Sequence, residues 1–304
     1  MHRFNPQRGL TLVELLVALV ISSLIALAAT ALYSVATSSY RTVDAGQEIQ
    51  DSGRFALETI GQAARQAGYQ NYQGRDGSGN ENTRRWVPST YPTVRGYNNS
   101  KVATPSNSDD DGTTDNGGVN NSDTLAIRFH GSSKIDNAVA PDGSMIDCLG
   151  YAQNYPSNGD DVGLSLFWIK NDSSGEPSLQ CTSRGNPEAA TLVRQTQPIV
   201  RGVETFQVMY GLDTNADTVA DRWVSADSVT NWALVVAIRV GFVIRGAPGS
   251  GQGASATASE NVLYPLGKEF TGTSTETGLA FTPPDDGRLR RAFNATFMLR
   301  NPQG

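Results

Sequence analysis

Few residues of this 304-residue chain could carry out chemistry, and most of those that could are carboxylates. The densest set is Asp213-Thr214-Asn215-Ala216-Asp217-Thr218-Val219-Ala220-Asp221, where acidic or amide oxygens recur at alternate positions. A turning loop would aim Asp213, Asn215, Asp217 and Asp221 at one hard cation, with the Val219 carbonyl added, which is the spacing of a calcium loop. Two positions depart from that pattern: Thr218 stands where glycine is usual, and Val224 where an EF-hand places its bidentate glutamate. A polar hairpin between two strands accounts for the same residues, and the two readings stand level. Asp109-Asp110-Asp111-Gly112 reads as a solvated acidic loop. His130 has no second histidine beyond the N-terminal segment to form a catalytic pair and reads as a strand-end surface residue. Arg288, Arg290 and Arg291 read as a solvated edge strand rather than a binding patch. No spacing of serine, aspartate or glutamate supports a catalytic site, so the chain is read as no enzyme, requiring no cofactor, with Ca2+ the one candidate ion.

The composition supports a buried core, with 38% apolar residues in a chain long enough for one large domain or two modest ones. A net charge of -6 and a pI near 5.0 disfavour nucleic acid as a partner, because such binders need a basic face.

The elements that would position these residues begin with an apolar run. Residues 1–9 are polar and carry Arg3 and Arg8 without an acid, which places them on the cytoplasmic side of a membrane. Leu10 to Leu32 is apolar apart from small hydroxyl residues and Glu14. At ~1.5 Å per residue this segment reaches about 34 Å, enough to cross a bilayer core of roughly 30 Å. A carboxylate inside such a helix costs on the order of 2.5–3.5 kcal/mol and needs a partner. An ordinary secretory signal cut after Ala26-Leu27-Ala28 and a plain single-span anchor are the two competing readings of this segment. Neither requires Gly9, Leu10 and Glu14 at their spacing.

The run Gly9-Leu10-Thr11-Leu12-Val13-Glu14-Leu15-Leu16-Val17-Ala18-Leu19 resembles the class III signal of type IV prepilins. The resemblance implies that a prepilin peptidase cuts between Gly9 and Leu10 and methylates the new N-terminus. It also implies that Glu14 compensates the N-terminal amine of a neighbouring subunit in an assembled fibre.

Ile49, Ala56, Leu57, Ile60, Ala63, Ala64 and Ala67 continue the helical period beyond the bilayer, opposite a stripe bearing Arg54, Glu58 and Arg65. Gly46, Gly53 and Gly61 weaken this stretch, and Gly68 is a plausible stop. Residues 71–123, rich in Gly, Asn, Ser and Asp, read as a variable loop region. Strand alternation then appears at Leu125-Ile127-Phe129, Leu164-Leu166-Trp168, Phe206-Val208-Tyr210 and from Leu289 to Leu299, with a buried-looking run from Trp232 to Arg245. The expected fold is therefore α+β: a long N-terminal helix, membrane half (10–32) first and sheet-packed half (33–70) second, against an antiparallel β-sheet formed by 124–304. This is the ladle of pilins. The stretches Gly53 to Tyr69 and Phe293 to Asn301 are similar to the corresponding parts of PilW-type proteins.

That resemblance implies a minor pilin in a priming or tip complex of a type IV pilus. Its partners would be other minor pilins, the major pilin, prepilin peptidase, the inner-membrane assembly platform and a tip adhesin. It would sit in the bacterial inner membrane with a periplasmic domain, then in the fibre. A periplasmic location favours a structural Cys148–Cys181 disulfide, since no Cys-x-x-Cys spacing supports a redox role. The alternatives are a type II secretion tip pseudopilin, which shares the same plan, and an anchored or secreted calcium-dependent binding module.

Overall fold

The computed structural model describes residues 11–71, 92–102, 113–135, 137–156, 161–185, 193–251, 262–271 and 278–300. One helix, α1 (Leu12–Gln66), runs unbroken from the apolar segment into the domain. Its first half projects free, with Leu12, Leu19, Leu27 and Leu32 each more than half exposed, and it is long and apolar enough to cross a membrane. Its second half buries Ala45, Ile49, Gly53, Ala56, Ile60, Ala63 and Ala64, the stripe expected from the helical period.

Against this stripe lie two antiparallel sheets, where one was expected. The first has five strands in the order β1 (Val94–Tyr97), β4 (Thr124–Phe129), β7 (Gly163–Asn171), β8 (Pro177–Ser183) and β9 (Gln195–Arg201). The second has four, in the order β11 (Arg222–Val224), β10 (Val203–Leu212), β12 (Val235–Arg245) and β13 (Arg290–Met298). Two small hairpins complete the strands, β2 (Ser100–Val102) with β3 (Thr113–Asn116) and β5 (Ser133–Lys134) with β6 (Asn137–Pro141). β1, β2 and β3 fall within 71–123, which the sequence reading made a loop; strands of three or four residues with Gly96, Ser100 and Asn116 among them carry too little alternation to register.

The two sheets and α1 share one core. Leu125, Ile127, Phe167 and Leu179 come from the first sheet, Phe206, Val208, Ile238 and Phe242 from the second, and Ile49, Ala56 and Ile60 from the helix. The glycines of α1 make close approach possible. A Cβ on Gly53 would lie 2.4 Å from the Phe293 ring, and one on Gly61 would lie 2.7 Å from Phe297, so both rings of β13 seat directly on helix backbone. Phe293 also stacks on Phe242 of β12 at 5.7 Å between ring centres. Gly46 has no such role, since its Cβ would meet only Leu289, at 3.9 Å.

Cys148 and Cys181 form a disulfide across 33 residues, with Cα atoms 6.1 Å apart. By the chain-entropy argument such a closure contributes roughly 3–4 kcal/mol. The loop carrying Cys148 is ordered by its neighbour Asp147, 4% exposed. Asp147 Oδ1 accepts from the amides of Leu149 (2.9 Å) and Tyr151 (3.0 Å), and Oδ2 from Gln153 Nε2 (3.1 Å). Burial pushes this carboxyl up to about 6, against the pull of those donors.

His130, expected at the surface, is 1% exposed, with Nδ1 accepting from the Asn71 amide at 3.3 Å. It sits where β4 meets the end of α1, where Gly68 donates to the Arg128 carbonyl.

Two expectations follow. Gly46→Ala should leave stability unchanged or raise it by up to about 1 kcal/mol through helix propensity, whereas Gly53→Ala should lower it by roughly 1–3 kcal/mol because the Phe293 ring must move. Urea unfolding of the sheet-bearing domain compares them, and equal effects would remove the glycine seats as a packing device. Folded Asp147 keeps a proton that the unfolded chain releases, so its contribution to stability falls as pH rises from about 4 to 6. The stability difference between wild type and Asp147→Asn should therefore be more favourable to wild type at pH 4.5 than at pH 7; a pH-independent difference would show that Asp147 does not titrate in this window.

Candidate assembly site and acidic loop

The first candidate site is the start of α1. Gly9 and Leu10 lie outside the described residues. Thr11 is the N-cap and closes a capping box with Glu14: the Glu14 amide donates to Thr11 Oγ1 (3.3 Å), while Glu14 Oε2 accepts from the Thr11 amide (2.9 Å) and hydroxyl (3.0 Å). The carboxylate lies in the first turn, where the helix dipole favours a negative charge. Two local donors and the dipole thus meet part of the cost of a carboxylate in an apolar helix. They leave Glu14 exposed, with the acceptor capacity of a second oxygen in hand.

The second site is the loop from β10 to β11. Asp213 curls it by accepting from the amides of Asn215 (3.1 Å), Ala216 (2.7 Å) and Thr218 (2.7 Å). Ala216 and Thr218 adopt left-handed φ of 64° and 67°, so threonine is accommodated where a calcium loop usually has glycine. Asp221 Oδ2 accepts from the Thr214 amide and hydroxyl, and those bonds hold its carboxyl below the usual range. Asn215 Nδ2 lies 3.2 Å from both Asp217 Oδ2 and Asp221 Oδ1, so three of the four expected side chains converge. Asp213 is turned to the loop's own amides. Among the described residues, no three Asp, Glu, His or Cys side chains gather as a metal-binding group. Sequence spacing thus identified the loop but not which oxygens its own backbone would claim.

A third arrangement was misread from the sequence. Arg288 and Arg290 are not on a solvated edge but in a chain of ion pairs with Arg245, Glu176, Glu204 and Asp286. Glu204, 3% exposed at its side chain, accepts from Arg290 Nε (2.6 Å) and from Arg245 (3.2 Å). Glu176 is held by Arg245 (2.7 Å) and Arg288 (3.1 Å), and the Arg245 hydrogen bonds keep its carboxyl below the usual range. Asp286 takes the other edge of Arg290 (2.7 Å). Glu176 belongs to the β7–β8 turn of the first sheet and the rest to the second, so the chain of pairs ties the sheets together. Arg291 instead reaches Gln50 of α1.

Comparison with known proteins adds two matches at opposite ends of the chain. Residues 4–30 match the prokaryotic N-terminal methylation motif, and residues 166–301 match the family Type IV Pilus-assembly protein W. No curated protein matches the chain in sequence. Among solved structures, a type IV-like pilin from Thermus thermophilus aligns with 84% of this chain and 98% of its own at 12% identity, with a TM-score of 0.37. The methylation motif ends inside the free apolar half of α1, and the second match takes in β8 to β13, including the strand that seats on the helix glycines; together the two matches support the role of a minor pilin in type IV pilus assembly.

Proposed function

We propose that this subunit does its work by assembly alone, without catalysing a reaction. The observation that carries the proposal is the free apolar half of α1, headed by Glu14 and overlapping the methylation motif. Prepilin peptidase removes residues 1–9 and methylates Leu10. The helix holds the subunit in the inner membrane with its sheets in the periplasm, and the inner-membrane assembly platform then moves it into the fibre. There Glu14 faces the N-terminal amine of a neighbouring pilin, and the chain joins other minor pilins in a priming complex near the tip, above the major pilin and beside a tip adhesin.

Calcium at the β10–β11 loop is a second reading, supported by the convergence of Asp217 and Asp221 on Asn215. A cation there would meet the two carboxylate oxygens that now share the Asn215 amide.

Intact-mass and N-terminal analysis of protein from native membranes should find a chain starting at methylated Leu10 only when prepilin peptidase is present. A start at Ala29, or at Met1 in both strains, overturns the assembly reading. Glu14→Gln should reduce the ratio of fibre to membrane protein by about tenfold or more, the equivalent of losing one charge-assisted hydrogen bond. For the loop, calorimetric titration of the periplasmic domain is expected to show calcium binding with a Kd on the order of 10⁻⁴–10⁻³ M, as in extracellular modules, abolished by Asp217→Asn with Asp221→Asn. No heat in the wild type at millimolar calcium removes the ion.

A further inference from the structure

Of the four edges of the two large sheets, three are closed to pairing by their own make-up. β1 and β11 are four and three residues long. β9 carries Pro198 in mid-strand, opposite a register shift at Leu179 and Gln180. Short strands, prolines and bulges are the usual means by which edges avoid pairing with another chain. β13 has none of them. It pairs with β12 through nine consecutive registers without a bulge, contains no proline, and carries no charge beyond Arg290 and Arg291 at its start.

Its free side can be read from the ladder. Leu299 donates its amide to the Val236 carbonyl at 2.8 Å, so by antiparallel alternation the amides of Phe297, Ala295 and Phe293 also face β12. Those of Ala292, Asn294, Thr296 and Met298 face outward, and among the described residues none of the four has an acceptor. The edge also follows α1: Leu289 lies beside Gly46, Phe293 on Gly53 and Phe297 on Gly61. The unpaired amides are therefore strung along the flank of the helix that anchors the subunit, with Met298 half exposed at their end.

We propose that the free edge of β13 is an interaction surface that accepts an edge strand from a different pilin subunit, extending the four-stranded sheet by one. The proposal rests on the assembly reading given above. A lateral neighbour packed along α1 stands where its own sheet edge can reach this one. The added strand is antiparallel, like every strand pairing among the described residues. Because β13 runs in the same sense as α1, a second copy could offer its β13 antiparallel only with its helix inverted, which two chains anchored in one membrane cannot adopt, so the strand comes from a different subunit. The residues bearing the outward amides are uncharged, so the fitting partner is a neutral strand of small polar and apolar residues rather than a charged one.

The test uses the full-length chain in its native cells. Benzoylphenylalanine replaces Asn294 or Met298, and Gln197 on β9 for comparison. Irradiated fibres should contain a product joining position 294 or 298 to a strand of another pilin subunit, with about tenfold less product from position 197. In parallel, Thr296→Pro removes one outward amide and leaves the inward ladder intact, while Thr296→Ala retains it. The ratio of fibre to membrane protein should fall about tenfold or more for proline and stay within about twofold for alanine, with the Cys148–Cys181 disulfide formed in both. Where Thr296→Pro fails to accumulate in the membrane, the crosslinks decide. A product between two copies of this chain, a product at a helix or loop of the partner, or no product from fibres that contain the chain overturns the proposal. Absence of the wild-type chain from fibres is a separate outcome, which overturns the assembly reading and the edge proposal with it.

Discussion

The seating of Phe293 and Phe297 on Gly53 and Gly61 is the contact on which the rest of the domain depends. A helix that spends its first half in an apolar solvent cannot draw on that half to hold a domain, because lipid tails compete equally with apolar side chains. Attachment falls to the second half, whose buried stripe is built largely of alanine and glycine. Small residues bring the sheet close, and the bulk that fills the space comes from the strands instead. Glycine costs the helix roughly 0.5–1 kcal/mol at each position, which the burial of a phenylalanine, on the order of 1.5–3 kcal/mol, offsets.

Around that contact the two sheets are fastened at different places by different chemistry. The apolar core joins them along their length. At the end near Gly46 and Leu289 the fastening is ionic, through Glu176, Glu204, Asp286 and three arginines. Elsewhere, the disulfide to β8 fixes the loop that carries Cys148 within the first sheet. Bidentate geometry and mutual neutrality make the nearly buried pairs tolerable, since each charge there has its hydrogen bonds met by the opposite sign.

Much of this was legible in the sequence where the signal is local. Gly9, Leu10 and Glu14 stand out because they lie within a short contiguous run, the one matched by the N-terminal methylation motif. The helix, β4, β7, β10 and β13 follow from periods of apolar residues. β8 was missed because its seven residues are all buried while Ser178, Gln180, Thr182 and Ser183 are polar, so burial there leaves no hydropathy pattern. The arginines at 288 and 290 were misjudged for another reason. Their acids at 176 and 204 lie 112 and 86 residues away, and only the pairing of strands brings them together. His130 is a similar case, buried by the meeting of β4 with the end of α1. The division into two sheets was likewise hidden, because which strands pair is a property of the whole topology.

The continuity of α1 has a mechanical meaning. Leu12 to Gln66 contains no proline, and two of the three glycines in its domain half are gripped by phenylalanine rings. A pull applied to the sheets is therefore delivered to the membrane segment along one rod of about 80 Å, with the phenylalanine grips taking the shear. Of the glycines in the domain half, Gly46 alone has no ring bearing on its backbone, and there the rod can give. Extraction from the bilayer would then lift anchor and domain together, and whatever bending a fibre demands of this subunit would concentrate just below its sheets.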